Sequence, residues 1–242
     1  MIEKIKKWKP SDWLLAVFVI WSCVGFIKLG WKLGVSDVEA WGLPGPLAAF
    51  LAACFRHGDF VYILLAFANV YAACIHRIGL ARTRFSALVI LVGSAVLEYV
   101  GTKTGYPFGA YTYTGNFGPR ILGVLPVAIP LAWFVVVGGA YQLLSQYLPS
   151  WSRTRLALGV ALFAFLFDWW MEPFAWKVRI YWFWHAESVP WANYATWFVA
   201  SFLFARFCPL HSAPSIRRDV RPWWVLGSML LTFTVGRLAY GV

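Results

Sequence analysis

Apolar runs of membrane-spanning length follow one another along almost the whole chain, and they constrain the fold more than any other feature. They fall at about 12–30, 60–76, 85–102, 121–144, 156–176, 192–208 and 223–241. Each approaches the roughly 20 residues that a helix needs to cross a hydrocarbon core of about 30 Å. The chain is 61% hydrophobic and only 13% charged, with a mean hydropathy of +0.65. A soluble domain is nearer half apolar and a quarter charged. No soluble core hides this much apolar surface, so lipid must be the solvent for most of it. The reading is an all-α polytopic transmembrane helix bundle of about seven spans, with residues 1–242 forming a single integral membrane domain. A further apolar piece, Pro44–Phe55, is too short to cross by itself and is expected to be re-entrant or interfacial. The positively charged N-terminus resembles a signal peptide, but the apolar stretch after it has full spanning length and no cleavage site follows, so an uncleaved first helix is expected.

The formal net charge of +11 does not point to nucleic acid, because the basic residues form short clusters between apolar runs. Such clusters obey the positive-inside rule. With the N-terminus inside, 13 of the 21 Lys and Arg residues lie on the inner side: Lys4, Lys6, Lys7, Lys9, Arg77, Arg82, Arg84, Arg153, Arg155, Arg206, Arg217, Arg218 and Arg221. That bias implies a cytoplasmic N-terminus in the cell membrane of a prokaryote. Segments 103–120 and 177–191 follow spans an even number of crossings apart, so they share one face of the membrane in any topology. Both are crowded with aromatics, Gly and Pro, whereas the opposite loops 77–84 and 145–155 are short and basic. Cys23, Cys54, Cys74 and Cys208 are isolated in apolar runs and form no CxxC pair. No Walker, dinucleotide-binding, HExxH or di-iron histidine motif is present, so no cofactor and no metal are indicated.

Chemistry is expected where polarity intrudes on the apolar runs. Glu98, Asp168 and Glu172 lie within or at the outer ends of spans, where a carboxylate costs at least a few kcal/mol unless it is protonated, paired or hydrated. Asp168 and Glu172 are four residues apart and share a helix face. Glu98 ends its span on the same side of the membrane, so the three are expected to converge. A purely structural alternative pairs them with Lys103, Lys177 or Arg179. Gly101 and Gly105 form a GxxxG that permits close helix approach, and Pro107 and Gly109 then turn the chain. Around this turn Tyr106, Phe108, Tyr111 and Tyr113 supply rings, either as a shaped loop or as a plain interfacial belt. Pro173, directly after Glu172, is expected to loosen its helix. His185 reads as a solvated histidine. A faint internal echo places Pro126 seven residues before Trp133 and Pro190 seven before Trp197.

These segments resemble the membrane carotenoid hydratases, the bacterial carotenoid 1,2-hydratases and archaeal bisanhydrobacterioruberin hydratases. The matching residues are Glu98, Gly101, Thr104-Gly105-Tyr106-Pro107-Phe108-Gly109, Tyr111 and Tyr113, then Leu125-Pro126, Pro130 and Trp133. They continue with Asp168, Glu172-Pro173, Trp182, Trp184, Val189-Pro190, Asn193 and Trp197. The resemblance covers about residues 90–200. The chain departs from the family pattern in carrying Glu172 where the family has Asp before the proline, and His185-Ala186-Glu187-Ser188 where the family is rich in Gly and Tyr.

The resemblance implies cofactor-free hydration of the terminal C1–C2 double bond of an acyclic carotenoid end, giving a tertiary alcohol. The substrate would be lycopene-like, γ-carotene-like or a C50 precursor, taken from the lipid bilayer. Protonating C2 requires an acid that keeps its proton at neutral pH, as a buried carboxyl or a carboxyl pair can. The cation at C1 requires aromatic faces, worth about 1–2 kcal/mol each when desolvated, and a second carboxyl must deprotonate the attacking water. On this reading Asp168 and Glu98 are the acid/base pair and Glu172 assists or positions water. Tyr111, Tyr113 and Trp184 line the cation site, and Tyr106, Phe108, Trp133, Asn193 and Trp197 complete the substrate site. Two other readings use the same residues. One is a membrane isoprenoid enzyme such as a magnesium-dependent prenyltransferase or a cyclase, with Asp168 and Glu172 as a diphosphate site. The other is a non-catalytic lipid-binding or transport bundle.

Overall fold

A computed structural model describes residues 9–211 and 218–242. Lys4, Lys6, Lys7 and Arg217, which enter the charge bias, lie outside them. Seven long helices are present among the described residues: α1 (Pro10–Gly30), α3 (Gly45–Ile78), α4 (Leu80–Thr104), α5 (Ala128–Tyr147), α6 (Arg153–Pro173), α7 (Trp191–Phe207) and α8 (Arg221–Tyr240), with a short α2 (Val35–Ala40). Five of them, α1, α3, α4, α5 and α6 with its extension to Val178, are long and apolar enough to cross a membrane. The protein is a polytopic helical membrane bundle.

The apolar side chains face outward as a lipid solvent requires. Along α4, Leu88, Val92 and Val96 recur every four residues and are more than half exposed, while Thr83, Ser86, Ser94 and Glu98 are buried. This inverts the amphipathic pattern of a helix on a water-soluble protein. α5 is the central helix. It contacts α3, α4, α6, α7 and α8, and from Trp133 to Gln142 every residue is buried.

Two elements differ from the sequence reading. Pro44–Phe55 does not form a separate piece, because it runs without a break into the next span as the first third of the 34-residue α3. Arg56, His57 and Asp59 interrupt the hydropathy but not the helical hydrogen bonding. At 1.5 Å per residue α3 is about 51 Å long, well beyond one hydrocarbon core. The expected span at 121–144 begins late, at Ala128. The residues before it form a tight ribbon of β2 (Arg120–Ile121) and β3 (Leu125–Pro126), turned through Leu122 and Gly123 at positive φ.

A second ribbon joins the two aromatic loops. β1 (Tyr111–Tyr113) pairs antiparallel with β4 (Trp182–Trp184), Tyr111 opposite Trp184 and Tyr113 opposite Trp182. The segments that the count of crossings assigned to one face are therefore in direct contact. Pro173 cannot donate the hydrogen bond that would continue α6. The chain widens there into a π-helical turn, Phe174–Val178, closed by Arg179 N–H donating to the Phe174 carbonyl at 3.0 Å.

Candidate active site

Strand periodicity builds the roof of the site. Side chains two apart on a strand share a face, so β1 turns Tyr111 and Tyr113 inward while Thr112 faces out, and β4 does the same with Trp182 and Trp184 around Phe183. The four rings form a tilted and edge-to-face cluster, with Tyr111–Tyr113 and Tyr111–Trp184 centroids both 5.2 Å apart. His185 lies outside it, exposed, with Nε2 2.8 Å from the Thr112 hydroxyl.

Beneath this roof Glu98, Asp168 and Glu172 line one cavity, together with Phe108, Tyr111, Tyr113, Trp182, Trp184, Asn193 and Trp197. All three carboxyls are buried. Glu98 Oε2 accepts hydrogen bonds from the Tyr111 and Tyr113 hydroxyls, each at 2.8 Å, and Oε1 accepts one from Trp133 Nε1 at 2.9 Å. Burial, followed by the nearby Glu98 charge, raises both Tyr111 and Tyr113 above the ordinary phenol value, so they serve as donors. Glu172 Oε2 accepts from Trp184 Nε1 at 2.9 Å and from Trp182 Nε1 at 3.3 Å. Asn193 Nδ2 links the remaining acid to this group, donating to Asp168 Oδ2 at 2.6 Å and to Glu172 Oε1 at 3.2 Å. Asp168 Oδ1 is buried and has no hydrogen-bond partner among the described residues. Buried polar atoms are nearly always satisfied, so this oxygen stands out on the cavity wall.

Lysine and arginine are not the partners of these acids. Among the described residues none forms a salt bridge with Glu98, Asp168 or Glu172. Arg179 instead pairs with Asp59, its Nε 2.9 Å from Oδ2. Lys103 lies over the Tyr99 ring and Lys177 over the Trp176 ring. Among the described residues no three His, Cys, Asp or Glu side chains gather as a metal-ligand set.

Ten of the eleven side chains singled out in the sequence are buried around this cavity. Trp133 stands behind the wall, reaching Glu98 through its indole N–H. Tyr106 differs: its side chain is 77% exposed and forms no part of the cavity. The Gly101/Gly105 pair also acts differently from a helix-packing motif. A Cβ on Gly101 would sit 2.6 Å from the Phe108 ring, so the glycine makes room for the loop rather than for another helix. Gly105, at φ +75°, caps α4 in the left-handed region. The sequence reading did not single out Trp182 as a site residue, although it repeats the spacing of Trp184. It also missed Asp59, which lies just before the expected span at 60–76 and beside Arg56 and His57, and Tyr62 within that span.

Fold and site together define a membrane-embedded helical bundle with an internal, aromatic-roofed cluster of carboxyls. A family profile described as "Carotenoid biosynthesis protein" matches residues 58–239, three-quarters of the chain, and the protein belongs to that family. It is similar to bisanhydrobacterioruberin hydratase of Haloarcula japonica, with 33% identity over 165 residues, which are 65% of this chain and 53% of that protein. The chain thus spans about half the length of the curated relative it matches. No solved structure matches it.

Proposed function

We propose that this protein hydrates the terminal C1–C2 double bond of an acyclic carotenoid end group, producing a tertiary alcohol without a cofactor. The observation that carries the reading is the gathering of three buried carboxyls, unpaired with any cation among the described residues, in one aromatic-walled cavity inside a lipid-solvated bundle. Similarity to a protein named as a hydratase supports the same reaction class.

Asp168 gives the proton. Its Oδ1 has no hydrogen-bond partner among the described residues, its side chain borders the cavity, and Asn193 holds the other oxygen. Transfer to C2 uses the π electrons to form the C2–H bond and leaves a tertiary cation at C1. The faces of Tyr111, Tyr113 and Trp184 stabilise that charge, and none is a strong nucleophile. Glu98 accepts three hydrogen bonds, from the Tyr111 and Tyr113 hydroxyls and the Trp133 indole, and these stabilise its carboxylate when it forms. It opposes the cation electrostatically and takes one proton from the water that attacks C1. Glu172 positions that water, and the proton returns to Asp168 through the cavity after product leaves. The substrate is a lycopene-like, γ-carotene-like or C50 polyene drawn from the bilayer. The proposal includes a prokaryotic cell membrane as the location, a cytoplasmic N-terminus, and one integral membrane domain.

The test is co-expression with an acyclic carotenoid pathway and mass analysis of the pigment. A gain of one water per reacted end is expected. Unchanged pigment in the presence of folded, membrane-inserted protein overturns the reading.

A further inference from the structure

The cavity holding the carboxyls encloses only about 80 Å³, room for several waters and too little for a long polyene. If the reaction is carotenoid hydration, the rest of the substrate must leave the cavity through one wall. Asp59, Tyr62 and Thr232 identify that wall, because each also borders a second groove between α1, the first half of α3 and α8. Two further apolar grooves, around Trp223 and Trp224 between α1 and α8 and around Leu122 between α4 and α5, share no wall residue with the cavity.

We propose that the groove between α1, α3 and α8 is the binding site for the polyene tail, with Tyr62 as the partition between tail and reacting end. The inference rests on the hydratase reading. Trp21, Gly25, Leu29, Phe50, Cys54 and Phe55 give it a largely apolar surface. From Phe50 to Tyr62 the α3 wall is about 18 Å long at 1.5 Å per residue. The groove opens on the outer surface of the bundle, where Val24 is 51% and Phe50 64% exposed, so a lipid-dissolved chain reaches it without crossing water. Its basic side chains are already engaged. Lys28 Nζ donates to the Phe55 carbonyl at 2.8 Å and Arg179 is held by Asp59. The Tyr62 hydroxyl bonds Ser228 at 2.9 Å and Thr232 at 3.2 Å, and its ring stacks on Phe18 at 5.3 Å. These contacts fix the ring at the junction of the two spaces.

Gly25→Trp tests the site. No atom lies within 4 Å of a Cβ added at Gly25, and Gly25 lines the groove, so a large side chain started there occupies the space proposed for the tail. Hydration of a full-length acyclic carotenoid is expected to fall at least tenfold. A short acyclic terpene of two isoprene units with the same terminal double bond is expected to react at the wild-type rate, and carotenoid retained on the purified protein is expected to fall in parallel. Wild-type conversion of the long substrate, or an equal fall for both substrates in protein of unchanged thermal stability, overturns the groove assignment. If Gly25→Trp fails to accumulate, Cys54→Phe blocks the opposite wall and is read in the same way. Should the wild type hydrate neither substrate, the hydratase reading fails, and the groove is judged by retained polyene alone: Gly25→Trp must release it.

Discussion

Trp133 and Trp197 lie face to face, with ring centroids 3.7 Å apart and planes within 2° of parallel. They occupy equivalent places in two successive hairpins, α4–β1–α5 and α6–β4–α7. Each hairpin carries a glutamate near the end of its first helix, Glu98 or Glu172, held by two side chains from its own inward-facing strand. The match breaks at two places. Four residues before Glu172 stands Asp168, where Ser94 precedes Glu98, and three residues after Pro190 stands Asn193, where Ile129 follows Pro126. The additional acid and its amide partner therefore belong to one hairpin, which is where the proposed proton donor lies.

Replacing Trp133 with Phe keeps a ring against Trp197 but deletes the indole N–H that reaches Glu98. A buried acceptor left without its partner costs about 1–3 kcal/mol. Trp133→Phe is expected to unfold at lower temperature in detergent and to turn over more slowly, while Trp133→Tyr, unable to place a donor at the same point, should resemble it.

Asp168→Asn removes the proposed acid with little change in shape. Loss of general acid catalysis is worth about 10²–10⁴-fold in rate, so pigment mass should show no added water although the protein inserts normally. Glu98→Gln should also lose activity, since an amide presents hydrogens to side chains that donate. Near-normal product from both variants would remove the acid/base assignment.

Asn193→Leu tests the link between the two acids. It strips Asp168 and Glu172 of a shared donor at 2.6 and 3.2 Å, and hydration should fall sharply. Phe183→Ser is the control on the same roof. Phe183 points outward and is half-exposed, so this change should leave the pigment product unaltered.

Gly109→Ala should disrupt the roof. Gly109 has φ +104°, and an added Cβ would lie 2.6 Å from a Pro190 ring carbon. Overpacking of this kind costs about 1–3 kcal/mol, with backbone strain in addition. A lower midpoint of thermal unfolding is the expected readout.

The opposite end of the bundle has an acid-sensitive tie. Burial alone would raise Asp219, but hydrogen bonds from the Arg221 side chain and backbone, with the charges of Arg221 and His76, hold it below its ordinary value of 3.8. A carboxyl lowered in the folded state contributes stability above its unfolded value and loses it as pH falls through the folded one. Thermal stability should therefore drop on acidification below about pH 4 in the wild type and change less in Asp219→Asn.

Much of this architecture is legible from polarity alone. Glu98, Asp168 and Glu172 announce themselves because charge inside a lipid-facing helix demands a reason, Tyr111 and Tyr113 because they crowd the turn after Glu98, while Trp184 and Asn193 enter the site through the family resemblance. The pairing of β1 with β4 is hidden because it joins three-residue strands about 70 residues apart in sequence, too short for a local signal, although Tyr-Thr-Tyr and Trp-Phe-Trp already alternate as strands do. Tyr106 misled because ring density marks a loop without saying which rings turn inward. Asp59 was concealed by its neighbours: beside Arg56 and His57 it reads as the edge of a loop, whereas α3 carries all three without a break.

Because β1 and β4 come from separate hairpins, the ceiling over the carboxyls is shared property. Neither hairpin has a finished chamber until its counterpart arrives, and Glu98 and Glu172 enter a common space only then. Docking of the two halves is accordingly what encloses the carboxyls, and a chain cut in the loop between Tyr147 and Arg153 would have to perform that docking as two molecules.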